Sequence, residues 1–200
     1  MNGVLVLMEQ RGGKWNRMSF EALAAGQQLA AKLGTECSAA VIGEGADTLA
    51  PDLTAKKLEK VFTVQHPLLQ TYTSDGYVAA FEQFLKQAAP AYVLLPHTYQ
   101  VRDFAPALAT RFRQVLISDV IAVHDGPVFV RQLLQGKLNA DYKHTGIGPC
   151  FVSVQAGTFR AEAVEVGTAT VENFTPQLET GQIRNHPGEL FREAAQTVDL

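Results

Sequence analysis

Apolar residues in this chain come in short unbroken runs, separated by stretches in which they recur every three or four positions. The runs at 4 to 8, 37 to 42, 60 to 64 and 92 to 95 show almost no polar alternation. Runs of this kind predict strands buried on both faces, as parallel strands are. Between them, Phe20, Leu23, Ala24, Ala30 and Leu33 keep helical spacing, with Ser19 as the expected cap and Gly34 as a left-handed stop. A second, short helix is expected over 46 to 59, interrupted near Pro51. A third opens at Ser74 or Asp75 and runs to about Ala88, with Tyr77, Phe81, Phe84 and Leu85 on one face. A fourth spans 102 to 113, where Phe104, Leu108 and Phe112 repeat every four residues. Strand followed by helix, four times over, predicts a mostly parallel sheet covered on both faces.

The pattern changes after residue 115. Strands are predicted at 116 to 123, 128 to 134, 138 to 143 and 150 to 155, punctuated by Asp125-Gly126, Gly136 and Gly146-Ile-Gly-Pro149. No helix separates them, so this half should contain antiparallel strands. A last strand is expected over 161 to 170. Residues 172 to 200 are polar, with Pro176 and Pro187, and 189 to 195 suit a short helix. The expected organisation is one domain over 1 to 170 and a polar tail or linker over 171 to 200.

Composition narrows the function classes. The chain has 200 residues, is 46% hydrophobic and 18% charged, and so can bury a sizeable core. A net charge of -3 and no basic patch argue against nucleic acid as a partner. Cys37 and Cys150 are the only cysteines, each inside an apolar run, and read as buried free thiols of a reducing compartment. No basic stretch precedes the first apolar run and no cleavage site follows it, so no signal peptide is expected. No apolar stretch approaches the roughly 20 residues of a membrane span. The cytoplasm is the expected compartment.

Candidate chemistry is sparse. The five histidines, 66, 97, 124, 144 and 186, have no partner at ligand spacing, so no metal site is expected. Gly43-Glu-Gly45 and Gly12-Gly13 lack the remaining glycines of a phosphate loop. Ser118 lies in an apolar strand, and no catalytic nucleophile is expected. Arg102-Asp103 follows a strand and opens a helix, where ligands and partners of open α/β sheets sit. It reads either as an ion pair fixing the turn or as a contact for a ligand or partner. Arg131, in an otherwise apolar strand, either pairs with Asp119 or Glu9 or meets another subunit. Glu9, at the end of the first strand, carries the same two readings.

Several ordered motifs resemble the N-terminal domain of the electron transfer flavoprotein alpha subunit. They are Val-Leu-Val-Leu-x-Glu at 4 to 9, Ser19-Phe-Glu-Ala-Leu23, Leu-Leu-Pro-x-Thr at 94 to 98, Arg-Asp-x-Ala-Pro-x-Leu-Ala at 102 to 109, Ser-Asp-Val at 118 to 120, Phe-Val-Arg at 129 to 131 and Gly157-Thr-Phe159. The resemblance covers about 3 to 165. It implies a three-layer α/β/α domain of the adenine nucleotide alpha hydrolase-like kind. It also implies a heterodimer with a beta subunit and FAD held in a separate domain. Electrons would come from dehydrogenases. None of the motifs of the FAD domain is present, so the chain alone is expected to bind no FAD and to have no catalytic site. The family pattern is broken at Val101, at Gln135-Gly136-Lys137 and at Gln155-Ala156-Gly157. The alternative reading is a free-standing adenine-nucleotide-binding protein, with its crevice near Glu9, the 10-to-17 loop, Gly43 and His97-Thr98. A small hydrolase or lyase is a third reading, without a nameable nucleophile. An apolar docking patch and self-association are expected over 126 to 155.

Overall fold

The unbroken apolar runs become the centre of a nine-stranded sheet in the computed structural model, which describes residues 2–188. The chain enters it through β1 (Val4–Met8), buried along its whole length. A small hairpin follows, β2 (Gln10–Arg11) with β3 (Lys14–Trp15), and leads into α1 (Arg17–Leu33). The Asn16 side chain caps α1 by accepting from the Met18 N–H, so the helix starts earlier than the Ser19 cap expected from sequence. Gly34 ends it at φ 62°, as expected. Then come β4 (Cys37–Ile42), the short helices α2 (Ala46–Leu49) and α3 (Pro51–Thr54), β5 (Lys60–Val64), α4 (Ser74–Ala88) and β6 (Tyr92–Pro96).

Helix α5 (Tyr99–Arg111) begins three residues before the expected start, capped by Thr98. Arg102 and Asp103 therefore sit in its second turn instead of opening it. Next follow β7 (Leu116–His124), β8 (Val128–Leu133), β9 (Leu138–Tyr142) and β10 (Cys150–Val154). The expected strand over 161 to 170 is absent: Ala161–Ala163 form a 3-10 turn, and the strand is β11 (Thr170–Phe174). It pairs with β5, so the sheet runs across the boundary expected at residue 170. Leu178 and Ile183 are buried beyond it. The short helix expected over 189 to 195 lies outside the described residues.

The order is β11-β5-β4-β1-β6-β10-β7-β8-β9. All neighbours from β11 to β7 are parallel, whereas β7, β8 and β9 are antiparallel. The second half thus supplies antiparallel strands as expected, except that β10 inserts parallel between β6 and β7. The two reversals leave β9 running in the direction of β7, and the segment over 143–149 returns the chain so that β10 enters parallel to β6 and β7. Its five residues are all buried, the signature of a parallel strand.

Two cores sandwich the sheet. One lies under α1 around Val6, Leu23, Leu29, Val41 and Val152. The other lies under α4 and α5 around Leu5, Phe81, Phe84, Leu95 and Phe104. The result is the three-layer α/β/α arrangement. Among the described residues, no helix is long and apolar enough to cross a membrane.

Candidate functional site at the strand exits

The sheet order reverses between β1 and β6: β4 and β5 extend to one side of β1, and β6 and β10 to the other. Crevices at such switch points, outside the carboxyl ends of the strands, are where open α/β sheets bind ligands. Glu9 leaves β1 there and His97-Thr98 leaves β6. The Glu9 carboxylate accepts a hydrogen bond from Asn16 Nδ2 at 2.8 Å with one oxygen and from the Thr98 hydroxyl with the other. Its backbone is fixed too, since its N–H donates to Ser19 Oγ at 2.7 Å and its carbonyl accepts from the same hydroxyl at 3.0 Å. Ser19, expected as the helix cap, is therefore spent on holding Glu9.

A second cluster forms one strand further on. His97 Nδ1 lies 2.8 Å from Ser153 Oγ on β10. Ser153 Oγ also accepts the Asp119 N–H at 3.1 Å, so its own proton is assigned to His97 Nδ1. The ring proton then sits on Nε2, 3.8 Å from the Asp119 carboxylate. Asp119 occupies the left-handed region at φ 62°, beside the irregularity where β7 stops pairing with β10 and starts pairing with β8. Burial holds the His97 pKa below its ordinary 6.5, against the Asp119 charge and together with the positive charges of Arg102 and Arg131. This shift favours the neutral imidazole.

Serine, histidine and aspartate in a row suggest nucleophilic catalysis, yet the geometry does not. Ser153 is 0% exposed and its proton is used internally, so no substrate carbonyl can reach it. The three residues are a positioning network that presents a neutral imidazole. Sequence reasoning missed Ser153; the available signal was one hydroxyl within Cys-Phe-Val-Ser-Val.

The remaining candidates separate. Arg102 and Asp103 do not pair with each other, because successive helical residues point about 100° apart. Arg102 projects outward, its guanidinium 5.7 Å from the ring centre of Tyr99, which is 89% exposed. Asp103 accepts the Tyr72 hydroxyl at 2.6 Å, and burial first and this bond second push the Tyr72 pKa up. The expected pairing of Arg131 with Asp119 or Glu9 is not formed among the described residues. Instead its guanidinium stacks 5.5 Å from the centre of Tyr142, and its Nε is buried without a partner. Glu9 is already satisfied by the two caps, and Asp119 faces His97, which leaves neither carboxylate for Arg131. His97, Arg102 and Ser118 share an open cleft of about 470 Å³ between α5 and β7. On the far side of α1, the Glu21 carboxylate accepts the Gly157 N–H at 2.6 Å, fixing the turn after β10. Among the described residues, no three His, Cys, Asp or Glu side chains are placed to hold a metal ion.

Known proteins with this sequence pattern agree with each other. The family described as "Electron transfer flavoprotein domain" matches residues 4–179. The chain is 36% identical to "Electron transfer flavoprotein subunit alpha" of Bacillus subtilis (strain 168), over 98% of this chain and 60% of the relative. It is 32% identical to the protein of the same name from Syntrophomonas wolfei, over 84% of this chain and 50% of the relative. A more distant relative, at 25% identity over 80% of this chain and 39% of its own length, is "Lactate dehydrogenase (NAD(+),ferredoxin) subunit LctC" of Acetobacterium woodii. The chain thus spans between about half and three fifths of these two curated alpha subunits. A free-standing nucleotide-binding protein is not favoured by these matches. With its strand-exit motifs, its three-layer sheet and a match along most of its length, the chain belongs to the electron transfer flavoprotein family and is of the alpha-subunit type.

Proposed function

We propose that this chain is the scaffold domain of an electron transfer flavoprotein: it docks a beta subunit and a separate FAD-bearing domain and performs no covalent chemistry of its own. The observation that carries this reading is the match of the electron transfer flavoprotein domain over residues 4–179, with 36% identity to an alpha subunit along 98% of the chain. FAD in the intact complex would pass electrons from dehydrogenases to a downstream acceptor. The residues at this chain's crevice do not fit that cofactor, because the Glu9 carboxylate and the side chain of Gln10 already occupy it.

The docking contacts we assign are Arg102 with its exposed Tyr99, and Arg131 with Tyr142. Arginine and aromatic anchors are the side chains that dominate protein interfaces. His97 and Asp119 border the same rim, with Asp103 and Glu9 holding it from behind. The cytoplasm is the compartment we assign, where buried Cys37 and Cys150 stay reduced.

The test is reconstitution. Mixed with a beta subunit and a separately produced FAD domain, the chain should elute with both as one yellow complex in size-exclusion chromatography. Failure to associate at micromolar concentration, or elution of this chain as a self-assembled oligomer that ignores both partners, would refute the proposal.

A further inference from the structure

The switch-point crevice is built like a phosphate site and is already full. It lies between the entrances of two long helices, α1 of 17 residues and α5 of 13. Ligand phosphates favour such entrances, because free N–H groups and the helix dipole point at them. Here each entrance is closed by a side chain that also faces Glu9. Asn16 accepts the Met18 N–H at 3.0 Å and donates to one carboxylate oxygen at 2.8 Å. Thr98 accepts the Val101 N–H at 3.1 Å and donates to the other oxygen. One carboxylate thus serves as the anion for both helices.

The adjoining space is filled as well. Gln10 is 5% exposed, and its Nε2 donates to the carbonyls of Ile42 and Glu44 at 3.0 Å each. Its Oε1 accepts the Gly13 N–H at 3.0 Å, which ties the β2–β3 hairpin over the end of β4. Gly43 takes φ 98°, and a Cβ there would lie 2.9 Å from the Tyr77 hydroxyl, so this corner has no free volume. The nearest open cleft, about 370 Å³, is lined by Gly43, Glu44, Asp47, Gln65 and His66. Its two carboxylates disfavour a phosphate there too.

We propose that Glu9 is an internal counterion occupying the phosphate position of this crevice, and that with Gln10 it excludes adenine nucleotides and the dinucleotide phosphates of FAD from the domain. An arriving phosphate meets a fixed negative charge whose oxygens already hold both capping groups. It would have to displace two satisfied hydrogen bonds against like-charge repulsion. The inference stands on this chain's own side chains and is independent of which partners the domain docks.

The experiment is calorimetric titration of the full chain with inorganic phosphate, ADP and FAD, in wild type, Glu9→Gln and Glu9→Ala, with folding checked by circular dichroism. Wild type should give no binding heat with any of the three. Glu9→Ala should give measurable binding heat with phosphate and ADP, an affinity at least about tenfold above the weakest the titration can detect, or about 1.4 kcal/mol. Glu9→Gln, which keeps the shape and removes the charge, should fall between. Should the alanine variant fail to fold, the near-isosteric glutamine variant decides. Binding of ADP or phosphate by wild type overturns the proposal, as does a folded variant that stays silent. The amide resonances of Met18 and Val101 in wild type provide a second readout: their movement on adding phosphate would show the crevice open and defeat the idea.

Discussion

The Glu9 carboxylate accepts the Thr98 hydroxyl across the switch point of the sheet, joining the end of β1 to the start of α5 over 89 residues of sequence. Thr98 is 7% exposed and accepts the Val101 N–H with the same oxygen, so it serves two roles at once. Losing it uncaps α5 and leaves one carboxylate oxygen without its partner. Thr98→Ala should cost about 2 to 4 kcal/mol, the sum of about 1 for a lost cap and about 1 to 3 for an unpaired polar group. Thr98→Ser, which keeps the hydroxyl, should stay near wild type. Urea midpoints of the two variants check this, and an alanine variant as stable as the serine one would contradict it.

Ser153 should matter through His97. Ser153→Ala leaves the buried Asp119 N–H unpaired, a loss of about 1 to 3 kcal/mol. It also removes the proton that fixes His97 as the Nε2–H tautomer. Imidazole nitrogen shifts in NMR should show mixed tautomers in the variant and one tautomer in wild type. A purely packing role for Ser153 would leave those shifts unchanged.

The pH dependence follows from the same cluster. Burial lowers the His97 pKa in the folded chain below the ordinary 6.5. The unfolded chain therefore takes up a proton first as pH falls, and stability drops below about pH 6.5 until the folded state is protonated too. His97→Gln should flatten this limb. Urea midpoints measured from neutral to mildly acid pH should decline in wild type and decline less in the variant.

Gly26 sits in the middle of α1, where alanine is normally favoured by about 1 kcal/mol. A Cβ there would meet Val6 Cγ2 at 2.4 Å, and Val6 is a stiff, fully buried residue of the central strand. Overpacking of this kind costs about 1 to 3 kcal/mol, so sterics should win over propensity. Gly26→Ala should lower the melting temperature by a few degrees, on the order of 2–4 °C per kcal/mol for a domain of this size. A rise would show that α1 can shift away from β1.

Cys37 and Cys150 should resist thiol reagents while the chain is folded. Burial pushes both thiols up to about 12, leaving negligible thiolate at neutral pH. Ellman's reagent should label neither within minutes in buffer and both in denaturant. Rapid labelling of either one in buffer would mean that its strand opens locally.

Much of the fold was legible because local chemistry decides it. Continuous apolar runs announced β1, β4, β5 and β6, and Gly34 and Pro51 marked a stop and a break where the helices show them. The start of α4 fell where expected, whereas the start of α1 was misplaced because several capping side chains lie within a few residues of each other. Asn16 and Ser19 have nearly equal intrinsic preference. The β2–β3 hairpin leads the chain into Asn16, and Glu9 takes Ser19. The last strand was shifted because 161 to 170 alternates more regularly than 170 to 174. The latter is chosen by the free edge of β5, which no local pattern reveals.

By itself, the sequence determined the succession of strands and helices, the change from parallel to antiparallel character and the family, since these rest on periodicity and on ordered motifs. It also supplied Glu9, Arg102, Asp103, Asp119 and Arg131 as candidate partner or crevice residues. Only the tertiary structure decided what each of them touches. Glu9 meets Asn16 and Thr98, and the Asp119 N–H meets Ser153, across separations of 7, 89 and 34 residues. Hydrogen-bond partners in a parallel sheet come from strands far apart along the chain. Spacing carries no trace of them until β10 has found its place between β6 and β7.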